Sequence, residues 1–231
     1  MKKEFEKIKK QVQELLFFDN SGHGMDHINR VLDLSLRFAE VENADKDVVA
    51  LIALLHDVDD YKLFGEENAK NLTNARNIMD SSNISFEIQE QVLSSLKRLG
   101  YSKSLEGIRP LTIEGKVVSD ADMCDALGVN GLLRIYKYSL KNNKPFFDKT
   151  IFPVENINAN FYKNKCADSS VCHIFEKILK LKKLMLTASG RKEIEKRHQI
   201  TIDILYQLFD EEESKEWKEY LDNYLRKHYN I

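Results

Sequence analysis

From residue 3 to residue 18, apolar positions Phe5, Ile8, Val12, Leu15 and Leu16 recur at spacings of three and four. That period predicts a helix with one apolar face. It breaks at Asn20-Ser21-Gly22 and resumes from Met25 to about Val41, through Ile28, Val31, Leu32, Leu34, Leu36 and Phe38. The next predicted helix is capped by Asp45 or Asp47 and runs into VALIALLHDVDDYK, residues 49 to 62. There an apolar run suited to a buried helix ends in His56-Asp57, followed by Asp59, Asp60 and Lys62. Further helices are predicted over 66–80, 85–100, 112–128, 130–141, 169–188, 189–210 and 212–229. Ile113, Val117 and Val118 suggest a strand, but no neighbouring segment would pair with it. Residues 142 to 168 have no clean period, are rich in Asn and hold two of the three prolines, and so read as a long loop.

Only nine Gly and three Pro punctuate 231 residues, and this scarcity of breakers favours helix throughout. The expectation is an all-α fold, a helical bundle of about nine or ten helices, in a single domain over 1–231. At 42% hydrophobic and 31% charged residues, the chain has the makeup of a globular protein rather than a disordered one. A net charge of -2 gives no global basic field for a nucleic acid polymer. Cys124, Cys166 and Cys172 form no CxxC pair, which points to a reducing compartment without structural disulfides. No apolar stretch approaches the roughly 18 residues of a membrane span, and the N-terminus lacks the apolar core of a signal peptide. A cytoplasmic location and no membrane partner are expected.

Burying a charge costs several kcal/mol unless a partner or metal compensates it. Adjacent His56 and Asp57 at the end of so apolar a helix are therefore candidates to hold a cation. His27 opens the run HINRVLDLSL, and Asp120, Asp122 and Asp125 follow Val117-Val118. Two imidazoles and two carboxylates from these places would form a mixed N/O donor set suited to Mn, Fe, Co, Ni, Zn or Mg. Each residue alone has an ordinary reading as a core histidine or a solvated acid. Other motifs are excluded. HGMDH lacks the glutamate of a zincin, DADMCD lacks the glycine and distal glutamate of a calcium loop, and no glycine-rich phosphate loop occurs.

Taken together, GHGMDHINRV (22–31), ALLHDVDDYK (53–62), EGKVVSDADMCDALGVNGLLR (114–134), HIFEKILKLKKLM (173–185) and EKRH (195–198) resemble the HD-domain phosphohydrolase superfamily, in its branch of small bacterial hydrolases. The resemblance runs from about residue 20 to 210, with an HD core at about 20–130 and C-terminal helices at about 169–229. It implies one divalent metal ion held by His27, His56, Asp57 and Asp122, the last chosen over Asp120 because Asp125-Ala126-Leu127 follows at the family's offset. Asp60 and Lys62 match the polar pair after the HD. Met123-Cys124 replaces an Arg-Leu, which removes a cation beside the site and bears on substrate preference.

The resemblance further implies metal-dependent hydrolysis of a small phosphate ester or anhydride, with nucleoside triphosphate pyrophosphohydrolysis first among the family's activities. Asp60 would orient or deprotonate water. Lys62 would contact phosphate, with His23, Arg134 and His173 as further substrate contacts. The rival class is a non-catalytic metal-dependent binding or signalling module, and the intact four ligands and Asp60 argue for the enzyme. The expected partner is a small phosphorylated substrate, a nucleotide above all; a homodimer remains open. The 142–168 loop interleaves Lys144, Lys149, Lys163 and Lys165 with Phe146, Phe147, Phe161 and Tyr162. It reads either as a lid over a nucleotide or, slightly favoured, as a covering loop with its aromatics in the core.

Overall fold

The structure is a computed structural model that describes residues 2–18, 22–154 and 167–229. Among the described residues there are helices and turns and no strand. The strand suggestion at Ile113–Val118 gives way to helix, as expected for a segment with no pairing partner. Helices α1 (Lys2–Leu15), α2 (Met25–Glu42) and α3 (Lys46–Leu55) follow the predicted periods, and Asp45 is the cap of α3, accepting from the amides of Asp47 and Val48.

α3 is buried on every side, from Val48 to Leu55, as a helix apolar all round must be. It packs against α1, α2, α6 (Phe86–Leu96) and α8 (Ile113–Asp125). α2 lies across both α3 and α8 with the broadest contacts in the molecule. Its buried row Val31, Leu34 and Phe38 continues one turn back to His27, so helical spacing alone turns that imidazole into the core.

Two predicted elements differ. The helix over 66–80 is divided into α4 (Tyr61–Asn71) and α5 (Thr73–Ser81) by Leu72 in the left-handed region. Leu72 cannot cap α5, and Asp59 does so from a distance, accepting from the amides of Asn74 and Ala75 at 2.9 Å each. The segment 169–188 is a short α10 (Ser170–His173) that runs on as a π turn over Ile174–Ile178 and a 3-10 turn to Leu184. It ends where the Asp120 carboxylate takes the amides of Leu186 and Thr187, and Thr187 caps α11 (Ala188–Glu211) through the amide of Gly190. A short α7 (Tyr101–Leu105) was not marked by periodicity.

α9 (Gly128–Lys141) and α12 (Lys215–Tyr229) complete the described helices. Trp217 of α12 is fully buried, with Phe152 stacked on it at 4.5 Å and Phe147 edge-on at 5.2 Å. The described ends of the 142–168 segment thus pack on the core. Lys163, Lys165, Phe161, Tyr162 and Cys166 lie outside the described residues, as does the predicted break at Asn20-Ser21. Cys124 and Cys172 are both buried free thiols. No described helix is long and apolar enough to cross a membrane.

Candidate metal centre

α2, the end of α3 and α8 deliver four side chains to one point. His27 Nε2 lies 3.0 Å from His56 Nε2, and 3.4 Å from both Asp57 Oδ2 and Asp122 Oδ1. His56 Nε2 lies 3.4 Å from Asp57 Oδ2 and 3.9 Å from Asp122 Oδ1. Ligands about 2.1 Å from one ion sit about 3.0–3.4 Å from one another in octahedral or tetrahedral arrangements. Four of the five separations fall within that range, and the His56–Asp122 pair is wider.

The ring orientations sharpen this. His56 is the C-cap of α3 and turns Nδ1 to the Ala53 carbonyl at 2.8 Å, satisfying a helix-end acceptor. His27 turns Nδ1 to Asp125 Oδ2 at 2.8 Å. With both Nδ1 atoms donating, both Nε2 atoms offer lone pairs to each other at 3.0 Å. Two such nitrogens at that distance require a positive particle, a proton or a metal. Burial and the Arg134 charge push the His27 imidazole down, yet hydrogen bonds to Asp122, Asp125 and Asp57 lift it to about 10. His56 is also raised: burial opposes it and the Asp57 charge prevails. Burial works against the Asp57 carboxylate too, but His56 and His23 hold it well below the usual range. A donor set that takes up a proton so strongly fits a divalent cation, and its mixed N/O chemistry suits Mn, Fe, Co or Zn. The side chain of Asp122 is 32% exposed against 2–3% for the two histidines, so the centre opens to solvent on the Asp122 side.

The three acids of DADMCD divide their work by helical angle. Asp122 faces His27, Asp125 lies one turn further on the same side, and Asp120 points away to the turn before α11. Cys124 faces Gly190 in the core, and Met123 is buried as well, so this pair lies within the packing. The acids after His56 divide similarly. Asp59 caps α5 and Asp60 caps α4, its Oδ1 accepting from the Lys62 amide at 2.9 Å.

His23 stands in the loop before α2 with Nδ1 2.7 Å from Asp57 Oδ2. Gly22 precedes it with φ +102°, a conformation that favours glycine, and the Gly22 carbonyl accepts from Arg134 Nε at 2.9 Å. Arg134 also reaches Asp125 Oδ2 at 3.1 Å, so its predicted role as a substrate contact is joined by a structural one. Arg134, His23, Lys62, Lys144, His173 and Lys177 line one cavity of about 160 Å³ beside the centre. Burial, then Lys177, Lys62 and Lys144, press the His173 imidazole down to about 3. Three lysines and Arg134, set against Glu176, leave the wall of this cavity with an excess of positive charge. Sequence reasoning missed Arg30 and Lys177 as parts of the site and named Asp125 without giving it a role there. The three-residue spacings His27–Arg30 and Asp122–Asp125 were the available signals.

The sequence pattern of the HD domain matches residues 24–127. Over 208 residues, 89% of this chain and 92% of the relative, the chain is 29% identical to the YpgQ protein of Bacillus subtilis. A crystal structure of that protein in complex with ADP superposes with a TM-score of 0.68 at 28% identity, covering 90% of this chain and 95% of that one. A Lactobacillus plantarum protein superposes at 0.81 with 28% identity over 93% and 99% of the two chains. An HD-superfamily hydrolase of Bacillus thuringiensis gives 0.69 with 29% identity over 93% and 99%. With the His, His-Asp, Asp order of the sequence converging in space, residues 24–127 are an HD domain, and over 93% of its length the chain is similar to a solved HD-superfamily hydrolase.

Proposed function

We propose that this hydrolase cleaves the α–β anhydride of a nucleoside triphosphate, giving the monophosphate and pyrophosphate. The observation that carries the reading is the juxtaposition of the four-ligand centre with a cavity walled by Lys62, Lys144, Lys177 and Arg134. A single phosphoester needs little positive charge beyond the metal, whereas a triphosphate tail carries charge along its length and is matched by several fixed cations. The ADP complex of the Bacillus subtilis relative supports a nucleotide.

In this reading His27, His56, Asp57 and Asp122 hold one divalent ion, which supplies Lewis acidity toward a phosphoryl oxygen and a lowered pKa for water. The remaining work is done by the chain. Asp60 orients or deprotonates the attacking water, whose oxygen bonds to phosphorus as the anhydride P–O bond breaks and pyrophosphate leaves. Lys62, Lys144 and Lys177 counter the charge of the tail, and His173, kept neutral by its surroundings, donates or accepts a hydrogen bond without adding charge. His23, against Asp57, borders both the metal and the tail.

The test is 31P NMR of reactions with each nucleoside triphosphate and Mn, Mg or Co. Monophosphate and pyrophosphate are the expected products. Diphosphate and orthophosphate, or turnover confined to simple monoesters, would reject the reading.

A further inference from the structure

We infer that Asp125, which is not among the four ligands, is the positioning residue that sets the affinity of the centre for its metal. The inference rests on the reading of His27, His56, Asp57 and Asp122 as ligands. Asp125 is 1% exposed and lies on α8 one turn beyond Asp122. Its carboxylate receives four polar contacts. Arg30 Nε donates to Oδ1 at 2.7 Å, and Arg30 Nη2 donates to Oδ2 at 2.9 Å. Arg134 Nη1 donates to Oδ2 at 3.1 Å, and His27 Nδ1 meets the same oxygen at 2.8 Å.

Four consequences follow from this geometry. The bond to Nδ1 fixes the His27 ring plane and leaves the lone pair on Nε2, the atom facing His56 and Asp122. A carboxylate partner also makes that imidazole a stronger donor than a neutral partner would. The bidentate Arg30 fork fixes the carboxylate itself, so the ring cannot rotate without breaking charge-assisted bonds. Because Arg134 divides its guanidinium between Asp125 and the Gly22 carbonyl, the same residue ties the His23 loop to the metal side of the fold. Asp120 is the natural contrast. It is equally buried and on the same helix, but its bonds go to Leu186 and Thr187.

Titration calorimetry with Mn and Zn on wild type, Asp125→Asn, Arg30→Gln and Asp120→Asn tests this, with far-UV circular dichroism and thermal melting of each. Asp125→Asn should weaken metal binding by about 10- to 100-fold, the usual scale for the residue behind a metal-bound imidazole. Arg30→Gln, at a half-buried position, should weaken it less but measurably. Asp120→Asn should lower the melting temperature and leave metal affinity unchanged. In Zn-loaded wild type, 15N NMR should find the His27 proton on Nδ1. Wild-type affinity in both Asp125→Asn and Arg30→Gln would overturn the inference. So would an equal loss of affinity in Asp120→Asn, or a His27 proton on Nε2. If Asp125→Asn does not fold, Arg30→Gln and the NMR tautomer decide. Absence of metal binding by wild type would instead reject the ligand assignment beneath it.

Discussion

A Cβ on Gly190 would fall 2.2 Å from Oδ2 of Asp120. The two residues are in close contact because the Asp120 carboxylate is drawn into the turn before α11, where it accepts from the amides of Leu186 and Thr187 and from the Thr187 hydroxyl. Gly190→Ala must therefore push a buried, fully engaged carboxylate off its donors. We expect a loss of about 2 kcal/mol or more, within the range for overpacking a core and breaking buried hydrogen bonds. Urea denaturation measures it, and an unchanged midpoint would contradict the packing described.

His56→Ala removes one nitrogen donor and the bond that closes the end of α3. Metal content measured after purification and dialysis against Mn should fall to background, and phosphohydrolase activity should vanish with it. Full occupancy in this variant would take His56 out of the ligand set.

Asp60 caps α4, and the proposed function gives it a second duty that substitution can separate. Asparagine caps a helix as well as aspartate does, so Asp60→Asn should keep α4 and the bound metal. It cannot accept a proton from water, and turnover at saturating substrate should drop ~100-fold or more. Turnover equal to wild type would leave Asp60 a cap and nothing else.

The imidazole of His198 is pushed down from 6.5 to about 4, by burial first and then by the Lys182 charge. Because the folded pKa lies below the unfolded one, the unfolded chain binds the proton more readily. Stability from this group is complete above about pH 6.5 and is lost as pH falls toward 4, by an amount on the order of 3 kcal/mol. His173, driven down by burial and three lysines, acts in the same direction. Thermal melting between pH 4 and 7 should show wild type losing more stability on acidification than His198→Gln. Parallel pH profiles for the two proteins would count against a neutral buried His198.

Much of the fold was legible because α1, α2 and α3 carry their own instructions. Each has an apolar period, and α3 has the Asp45 cap in the sequence beside it. The missed boundaries share a cause. α5 starts at Thr73 because Asp59, fifteen residues before Asn74, caps it, and α11 starts at Ala188 because Asp120, from α8, organises the turn before it. A cap supplied from elsewhere in the chain leaves no local signature, so residues 66–80 and 169–188 each read as one helix.

The site divides in the same way. His27, His56, Asp57 and Asp122, the set that the resemblance implied, lie close together. The electrostatics around them depend on which helix faces meet. Arg30 and Asp125 are separated by 95 residues yet joined by two hydrogen bonds, and only the packing of α2 on α8 joins them. Lys144 comes to the cavity wall from the start of the 142–168 segment and Lys177 from beyond its end.

The turn from Asp57 to Asp60 carries a further constraint. Within four residues it places a carboxylate oxygen beside the His27 imidazole and caps the distant start of α5 and the local start of α4. A conservative exchange in this turn alters the work of one acid and leaves the other two in place. Adding or removing one residue would move all three acids out of register together. The geometry therefore constrains chain length here more tightly than side-chain identity, and a library of single-residue insertions and deletions should show this turn as intolerant even where point substitutions survive.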